Sequence, residues 1–194
     1  MTVLTLAGSP SARSRSSSLL RHVAQALARH GHEISEIGLG DVPAQDLVEG
    51  RYAGPAAAAL RARVSAASVV VVATPIYKAS FAGGLKALLD LLDEKALAGK
   101  IVLPLATGGS PAHLLALEYG LKPVLSALGA RHILAGVYAT DKEVVIGEDG
   151  VPRIADAIHE RLDEAVASVL ALAGAAARRA AANDARREAA VALG

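Results

Sequence analysis

The chain has 194 residues, of which 53% are hydrophobic and 20% charged, and this composition predicts one globular domain and excludes a disordered protein. A formal net charge of +1 gives no basic excess for nucleic acid or acidic membranes, and the lack of Cys excludes disulfides and thiolate metal sites. No stretch approaches the roughly 20 continuous apolar residues of a membrane span, and no basic leader precedes the first apolar run. We therefore expect a cytoplasmic protein without metal, membrane or nucleic-acid partners.

Short apolar runs alternate along the chain with segments of helical period, which predicts an α/β fold with a doubly wound parallel sheet. The predicted strands are residues 3–7, 33–37, 68–73, 100–106 and 132–138, and the predicted helices are 17–29, 55–66, 82–92 and 111–128. By analogy we expect a flavodoxin-like five-stranded sheet of order 2-1-3-4-5, with helices on both faces and ligands at the carboxyl ends of the strands. Residues 41–52 are predicted to form an irregular connection.

A long helix is predicted after residue 156, and its last part is rich in Ala and Arg. We therefore divide the chain into a flavodoxin-like domain, residues 1–173, and a helical tail, residues 174–194. The tail has high helix propensity and little large apolar surface, which is typical of a solvated helix.

The first strand runs into a hydroxyl-rich, basic loop, residues 8–18, that starts a helix. Free N–H groups and the positive end of the helix dipole favour an anion there. The loop lacks both the G-x-G-x-x-G and the Gly-Lys-Ser/Thr patterns, so its hydroxyls predict a single phosphate monoester such as that of FMN, with Arg13 or Arg15 supplying charge. The candidate residues are Ser9, Ser14, Arg15, Ser16, Ser17 and Ser18. The alternative is an N-capping serine cluster on an ordinary surface loop.

The loop after the third strand, residues 74–84, offers a surface for a flat ligand. Pro75 is expected to hold an extended turn that aims the Tyr77 ring across the sheet edge. The candidate ligand-binding residues are Pro75, Ile76, Tyr77 and Lys78. The alternative is an ordinary strand-to-helix turn with a structural proline and a buried tyrosine.

The loop after the fourth strand carries two glycines whose successive N–H groups predict a concave donor site. Such donors suit the pyrimidine edge of a flavin, where negative charge gathers on reduction, so no side-chain base is required. The candidate residues are Thr107, Gly108, Gly109 and Ser110. His113 follows them, and it either touches the ligand or serves as a helix-capping or core histidine.

Several segments together resemble the NADPH-dependent FMN reductases of flavodoxin-like fold, and most of all the reductase component of two-component alkanesulfonate monooxygenase systems. The matching segments are Leu6-Ala7-Gly8-Ser9-Pro10, Ala73-Thr74-Pro75-Ile76-Tyr77-Lys78, Leu103-Pro104-Leu105-Ala106-Thr107-Gly108-Gly109, and residues 14–20, 84–86, 88–92, 112–116 and 121–128. The resemblance covers residues 2 to about 137. It implies that the serine loop binds the FMN phosphate, Pro75 to Lys78 pack on the isoalloxazine, and Thr107 to Ser110 hold its polar edge.

The same resemblance implies a reaction and an assembly. NADPH would reduce FMN to FMNH2 for a separate flavin-dependent monooxygenase, in sulfur acquisition from alkanesulfonates. The family implies a homotetramer or homodimer, with Tyr119 at a helix bulge where subunits meet. An ordinary interface or core tyrosine is the alternative. Residues 141–153 and those after 171 match the family poorly.

The aromatic content predicts that the flavin is exchangeable. With no Trp, four Tyr and one Phe, the chain cannot sandwich the ring between large aromatic faces. FMN is therefore expected to act as a substrate rather than a retained group. The alternatives are a quinone or azo reductase that retains FMN, and a flavodoxin-like electron carrier, although carriers are usually strongly acidic. An Arg or Lys at the cleft would select NADPH through its extra phosphate.

Overall fold

The computed structural model describes residues 1–11 and 13–192 of the chain. Four parallel strands lie side by side in the main sheet: β1 (Thr2–Ala7), β2 (Glu33–Gly38), β3 (Val69–Tyr77) and β5 (Ile101–Gly108). The short strand β4 (Ser80–Phe81) runs antiparallel to β3, while β6 (His132–Ile133) and β7 (Val137–Thr140) both lie parallel to β5. A separate hairpin consists of β8 (Val144–Ile146) and β9 (Pro152–Ile154).

The helices cover both faces of this sheet. They are α1 (Arg15–Arg29), α2 (Ala44–Glu49), α3 (Pro55–Ala66), α4 (Gly83–Leu89), α5 (Lys122–Ala127) and α6 (Asp156–Ala192). Two 3-10 turns, Leu39–Asp41 and Pro111–His113, and a π-helix, Ala116–Leu121, connect them to the strands. The predicted α/β flavodoxin-like class is confirmed.

The alternation of side chains along β3 divides the core into two layers. Val69 and Val71 point to the face covered by α1 and α6. Val70 and Val72 point to the opposite face, which α3, α4 and α5 cover. Because both faces of β3 are buried, its sequence is an uninterrupted apolar run, as expected for a central parallel strand.

The sheet has seven strands rather than the predicted five. Its order is β2-β1-β3-β5-β6, with β4 beside β3 and β7 beside β5, so the five predicted strands keep the predicted order 2-1-3-4-5, with β6 and β7 in the place of the fifth. The difference arises from the two-residue strand β4 and from a break in the predicted strand 132–138. At that break Gly136 has a φ of 85°, and a Cβ there would lie 2.5 Å from the Pro104 carbonyl oxygen.

Residues 74–77 were predicted as loop, but they continue β3. Pro75 lies beyond Ala73, the last residue of β3 that pairs with β1, and pairs only with Thr107 of β5. A strand with a neighbour on one side only tolerates a proline, because one of its donor positions has no partner to lose. The strand therefore ends at Tyr77 rather than at residue 73.

Two other segments also differ from the predictions. Residues 41–52 contain helix α2, which Gly50 ends in the left-handed conformation with a φ of 60°. The predicted helix 111–128 is divided into a 3-10 turn, a π-helix and α5. The division before α5 falls where Pro123 stands in the first turn of that helix, a position that tolerates the missing N–H.

Helix α6 extends the chain well past the sheet. Its buried residues Ile158, Leu162, Val166 and Val169 pack in the core layer beside α1. Over residues 156–186 it is the one helix of the described chain that is long and apolar enough to cross a membrane, by length and composition alone. Only 11% of its apolar window is buried in the fold, although the first part of α6 packs in the core. Residues 193–194 of the predicted tail lie outside the described residues.

Candidate active site

A cleft of about 380 Å³ lies at the carboxyl ends of the parallel strands, where the sheet brings the three predicted loops together. The strand register produces this meeting, because Ala7 pairs with Ala73, Pro75 with Thr107, and Gly108 with Thr140. The cleft is lined by Ser9, Ser11, Arg13, Ser14, Arg15, Pro75, Ile76, Tyr77, Thr107, Gly108, Gly109 and Asp141.

At one end of the cleft stands the N-terminus of α1. Ser14 is its N-cap residue, with extended backbone angles, but its side chain makes no capping hydrogen bond, and the first turn contains no acidic residue. The first N–H groups of a helix have no partner within the helix, so without a side-chain cap they remain available to an anion. The preceding loop is held in place because the Gly8 N–H donates to the Ala73 carbonyl at 2.7 Å.

The structure separates the predicted serines into two groups. Ser9 and Ser14 line the cleft together with Arg15. The Ser16 hydroxyl is fully buried and lies 2.9 Å from the Ser14 hydroxyl, while the Ser18 hydroxyl donates to the Ser14 carbonyl at 3.1 Å. Neither residue lines the cleft.

Ser17, the remaining predicted serine, lines a different cleft of about 390 Å³, which α1 forms with the end of β2. The structure therefore brings two of the five predicted serines to the candidate site. The Ser16, Ser17 and Ser18 hydroxyls are placed elsewhere.

Two acceptors engage Arg15 at the edge of the cleft. Its Nε donates to the Val144 carbonyl at 2.9 Å and lies 3.7 Å from Oδ1 of Asp141. Asp141 was not predicted from the sequence. A signal for it exists, because it is the first residue after β7, and the ends of parallel strands share one edge of a sheet.

The predicted second loop is a hairpin. Pro75 and Ile76 are buried in β3, and the Tyr77 side chain stands at its end with 54% exposure. Lys78 and Ala79 form the two-residue turn to β4 with φ values of 49° and 61°, the conformation of a type I′ turn. Pro75, Ile76 and Tyr77 line the cleft, whereas Lys78 does not.

The glycine loop is held from two sides. The Tyr138 hydroxyl donates to the Ser110 carbonyl at 2.6 Å, and the Asp141 N–H donates to the Gly108 carbonyl at 3.0 Å. A Cβ on Gly108 would lie 2.8 Å from the Tyr138 hydroxyl, so this position has no room for a side chain. Burial raises the pKa of Tyr138, with a further contribution from the nearby Asp141 carboxylate.

Ser110 and His113 lie outside the lining of the cleft. The Ser110 hydroxyl accepts a hydrogen bond from the Ala112 N–H at 3.3 Å and caps the 3-10 turn. His113 points its Nδ1 toward Gly108, where the atom is buried and makes no hydrogen bond within residues 1–11 and 13–192. Thr107, Gly108 and Gly109 therefore line the cleft, whereas Ser110 and His113 do not.

Tyr119 lies in the π-helix and is 79% exposed, away from the lining of the cleft. Leu114 and Leu115, in the preceding turn, are also exposed large apolar residues. On its inner side the π-helix faces the β3–β4 hairpin, since a Cβ on Gly120 would meet the Phe81 ring at 3.6 Å.

The lining offers donors and a flat surface rather than a nucleophile or a metal centre. Among the described residues no group of three or more His, Asp or Glu side chains could hold a metal ion. A doubly wound sheet with an uncapped helix N-terminus and two further loops at its carboxyl edge defines a flavodoxin-like α/β protein.

The chain belongs to the family of NADPH-dependent FMN reductases, whose family model matches residues 1–144. It is 48% identical over 167 residues to an FMN reductase (NADPH) of Pseudomonas putida KT2440, covering 86% of this chain and 85% of the relative. An FMN reductase (NADPH) of Escherichia coli K12 is also 48% identical, over 166 residues and 86% of each chain. The apo crystal structure of an NADH:FMN oxidoreductase (EMOB) is similar, with a TM-score of 0.76, 37% identity and 87% coverage of both chains.

The predicted family, oxidoreductase class and small molecules are thereby confirmed. The chain is an FMN reductase with FMN and NADPH as its small-molecule partners. This result favours the reductase over the electron carrier considered from the sequence.

Proposed function

We propose that the 380 Å³ cleft is the FMN site, with the phosphate at the N-terminus of α1 and the isoalloxazine at the ends of β3 and β5. The observation that carries this proposal is the meeting of an uncapped helix N-terminus and the glycine loop in one cleft. The family supplies the ligand, and the cleft supplies groups that fit its two ends.

The groups at the phosphate end suit a monoester. The first turn of α1 offers N–H donors, and the hydroxyls of Ser9 and Ser14 and the guanidinium of Arg15 stand beside it. Hydrogen bonds between such donors and a phosphate are charge-assisted and about twice as strong as neutral ones. The Ser16 and Ser18 hydroxyls are engaged within the turn, so in this proposal their contribution is to its shape.

The reaction needs positioning more than acid–base chemistry. A hydride from bound NADPH and a proton from solvent together reduce FMN to FMNH2. We assign to Gly108 and Gly109 the N–H dipoles that stabilise negative charge at the pyrimidine edge, since oriented dipoles need no rearrangement as that charge develops. Tyr77 supplies an apolar surface for the ring, and Tyr138 keeps the glycine loop in position through Ser110.

The phosphate site is tested by comparing FMN with riboflavin. We expect kcat/KM to fall about tenfold or more for riboflavin, because hydrogen bonds to a charged group contribute about 1.5 to 3 kcal/mol. Ser14→Ala should raise KM for FMN and leave KM for riboflavin unchanged. Ser65→Ala, which removes an exposed hydroxyl on α3, is the matched control. Equal turnover of the two flavins would rule out the phosphate site.

We also propose that FMN exchanges freely. Tyr77 is the only aromatic residue in the lining of the cleft as far as the structure describes the chain, so stacking is available on one side at most. Gel filtration after incubation with excess FMN should yield colourless protein. A yellow protein that survives extensive dialysis would instead support an FMN-retaining quinone or azo reductase.

A flavin that leaves in its reduced form supplies a second enzyme. We propose a separate flavin-dependent monooxygenase, and alkanesulfonate desulfonation in the cytoplasm as its reaction, from the resemblance of the loop segments described above. The reductase, NADPH and FMN should support sulfite release from an alkanesulfonate by an alkanesulfonate monooxygenase. NADPH consumption without sulfite release, under conditions where chemically reduced FMN supports it, would contradict this partner.

We propose that the protein is a homotetramer or homodimer with Tyr119 in the contact. The exposed side chains of Leu114, Leu115 and Tyr119 support this, because neighbouring exposed apolar groups are typical of protein interfaces. Tyr119→Ala should lower the molar mass in light scattering, whereas Tyr52→Ala, at another exposed tyrosine, should not. An unchanged mass for Tyr119→Ala would place the contact elsewhere.

A further inference from the structure

Asp141 is the one acidic side chain in the lining of the cleft, within the part of the chain that the structure describes. Its Oδ1 lies 3.7 Å from Nε of Arg15, and a Cβ on Gly109 would lie 3.7 Å from its Oδ2. The carboxylate therefore stands between the cation at the N-terminus of α1 and the glycine loop.

A carboxylate at this position opposes the binding of a negatively charged phosphate in the cleft. The lining contains two cationic side chains, Arg13 and Arg15, and the single carboxylate of Asp141, which leaves one net positive charge facing a phosphate dianion. Like charges repel over several ångströms even in a site open to water. The Arg15 and Asp141 side chains are 41% and 48% exposed, so the repulsion is screened but not removed.

The surroundings of Arg15 reinforce this effect. Its Nε donates to the Val144 carbonyl at 2.9 Å and lies 3.7 Å from the Asp141 carboxylate, so the guanidinium is hydrogen-bonded to a neutral acceptor and ion-paired with a charged group. The other carboxylate close to Asp141 in sequence, that of Glu143, accepts hydrogen bonds from the N–H and the hydroxyl of Thr140, both at 2.7 Å. Asp141 thus remains the carboxylate that faces the cleft.

We infer that Asp141 is an affinity-lowering residue, whose carboxylate offsets part of the Arg15 charge so that FMNH2 leaves the cleft. The inference rests on the proposed position of the FMN phosphate. A reductase that supplies flavin to another enzyme must release its product, and the product carries the same phosphate as the substrate. The carboxylate lowers the affinity for both.

The test is Asp141→Asn, which removes the charge and keeps the size of the side chain and the backbone bond from residue 141 to Gly108. The dissociation constants of FMN and riboflavin are measured by quenching of flavin fluorescence at low and high salt. For FMN we expect binding about threefold to tenfold tighter than in the wild type, an effect of the size expected for one half-exposed charge. For riboflavin we expect no change.

Salt provides a second readout, because exposed charges interact less at high ionic strength. The gain for FMN should shrink by at least half between low salt and 0.5 M NaCl. The matched control is Asp90→Asn, at another ion-paired carboxylate of 46% side-chain exposure, which lies outside the cleft lining. It should leave both dissociation constants unchanged. Asp141→Ser serves as a second variant if Asp141→Asn does not fold.

Three outcomes would overturn the inference. Unchanged FMN binding would show that the charge does not act on the phosphate, and weaker FMN binding would show that Asp141 holds Arg15 in place for the ligand. Equal effects on FMN and riboflavin would show contact with the ring or the ribityl chain. Failure of the proposed FMN site is separate, since it would appear in the wild type as riboflavin binding as tightly as FMN.

Discussion

Replacement of Tyr138 by Phe tests how the glycine loop is held. The hydroxyl donates to the Ser110 carbonyl at 2.6 Å, while the ring is buried in a small core cluster with Ile76, Ala106 and Leu117. Phe keeps that ring packing and removes only the donor. The loss of one hydrogen bond, with a partly buried carbonyl left without that donor, is expected to cost about 1 to 2 kcal/mol of unfolding free energy.

Equilibrium urea denaturation measures this cost directly. Tyr52→Phe is the matched control, because it removes the same hydroxyl from a tyrosine whose side chain is exposed. For Tyr138→Phe we also expect KM for FMN to rise about threefold or more and KM for NADPH to stay constant, since the loosened loop touches only the flavin in the proposed site. A loss below about 0.5 kcal/mol, together with an unchanged KM for FMN, would refute the reasoning.

The difference in stability between the wild type and Tyr138→Phe should also depend on pH. Burial raises the pKa of Tyr138 in the folded protein, so the unfolded chain loses this proton first. The contribution of Tyr138 to stability is therefore complete below the ordinary tyrosine pKa of about 10 and is lost as the pH rises through the folded value. Between pH 9 and 11 the wild type should lose its advantage over Tyr138→Phe. A constant difference over that range would contradict this.

Three further changes have defined outcomes. Gly108→Ala should lower the unfolding free energy by about 1 to 3 kcal/mol and raise KM for FMN, because its Cβ would lie 2.8 Å from the Tyr138 hydroxyl. Urea denaturation measures the first effect and initial rates measure the second. Ala79→Gly should raise the unfolding free energy by up to about 1 kcal/mol, because Ala79 has a φ of 61°, and a decrease in urea denaturation would refute this. A chain that ends at residue 173 should keep kcat/KM for FMN within about twofold, since Val169 is the last fully buried residue of α6 among residues 156–186, and a larger loss would assign the tail a role in catalysis.

The layers of the fold could be predicted because buried faces produce a periodic pattern of apolar residues in the sequence. The uninterrupted run Val69 to Val72 identified a central parallel strand, and the period of residues 55–66 matched α3 at both ends. Short elements contain too few residues to show such a pattern. Helix α2 has six residues, fewer than two turns, and β4 has two, so tertiary contacts rather than periodicity decide both.

Backbone conformations that oppose the local preference of their residues could not be predicted from the sequence either. Lys78 and Ala79 form a turn with positive φ, although such turns favour Gly and Asn, so the sequence contains no hairpin signal there. The π-helix at residues 116–121 likewise has no sequence pattern that distinguishes it from an α-helix, and the resemblance to a family indicated it instead.

The three loops of the site could be predicted because each follows a parallel strand, and parallel strands end at one edge. The same rule applies to Asp141 after β7, but the break at Gly136 obscured where the last strand ends. The direction of each serine could not be predicted from composition. On α1, three successive serines point in different directions, so a hydroxyl-rich turn does not imply that all of its hydroxyls reach one ligand.

The buried hydroxyls of Ser16 and Ser18 explain how the loop of residues 8–18 keeps its shape with Gly8 as its single glycine. In a dinucleotide-binding turn, glycines permit the tight bend and the close approach of the backbone to the phosphate. Here Ser16 interacts with the Ser14 hydroxyl and Ser18 with the Ser14 carbonyl, so hydrogen bonds within the turn fix the N-cap residue from two sides. Because those bonds use side chains, the N–H groups of the first turn stay available for the proposed phosphate. A rigid anion site can therefore form from serines, and on our inference the nearby charges of Arg15 and Asp141 tune its affinity.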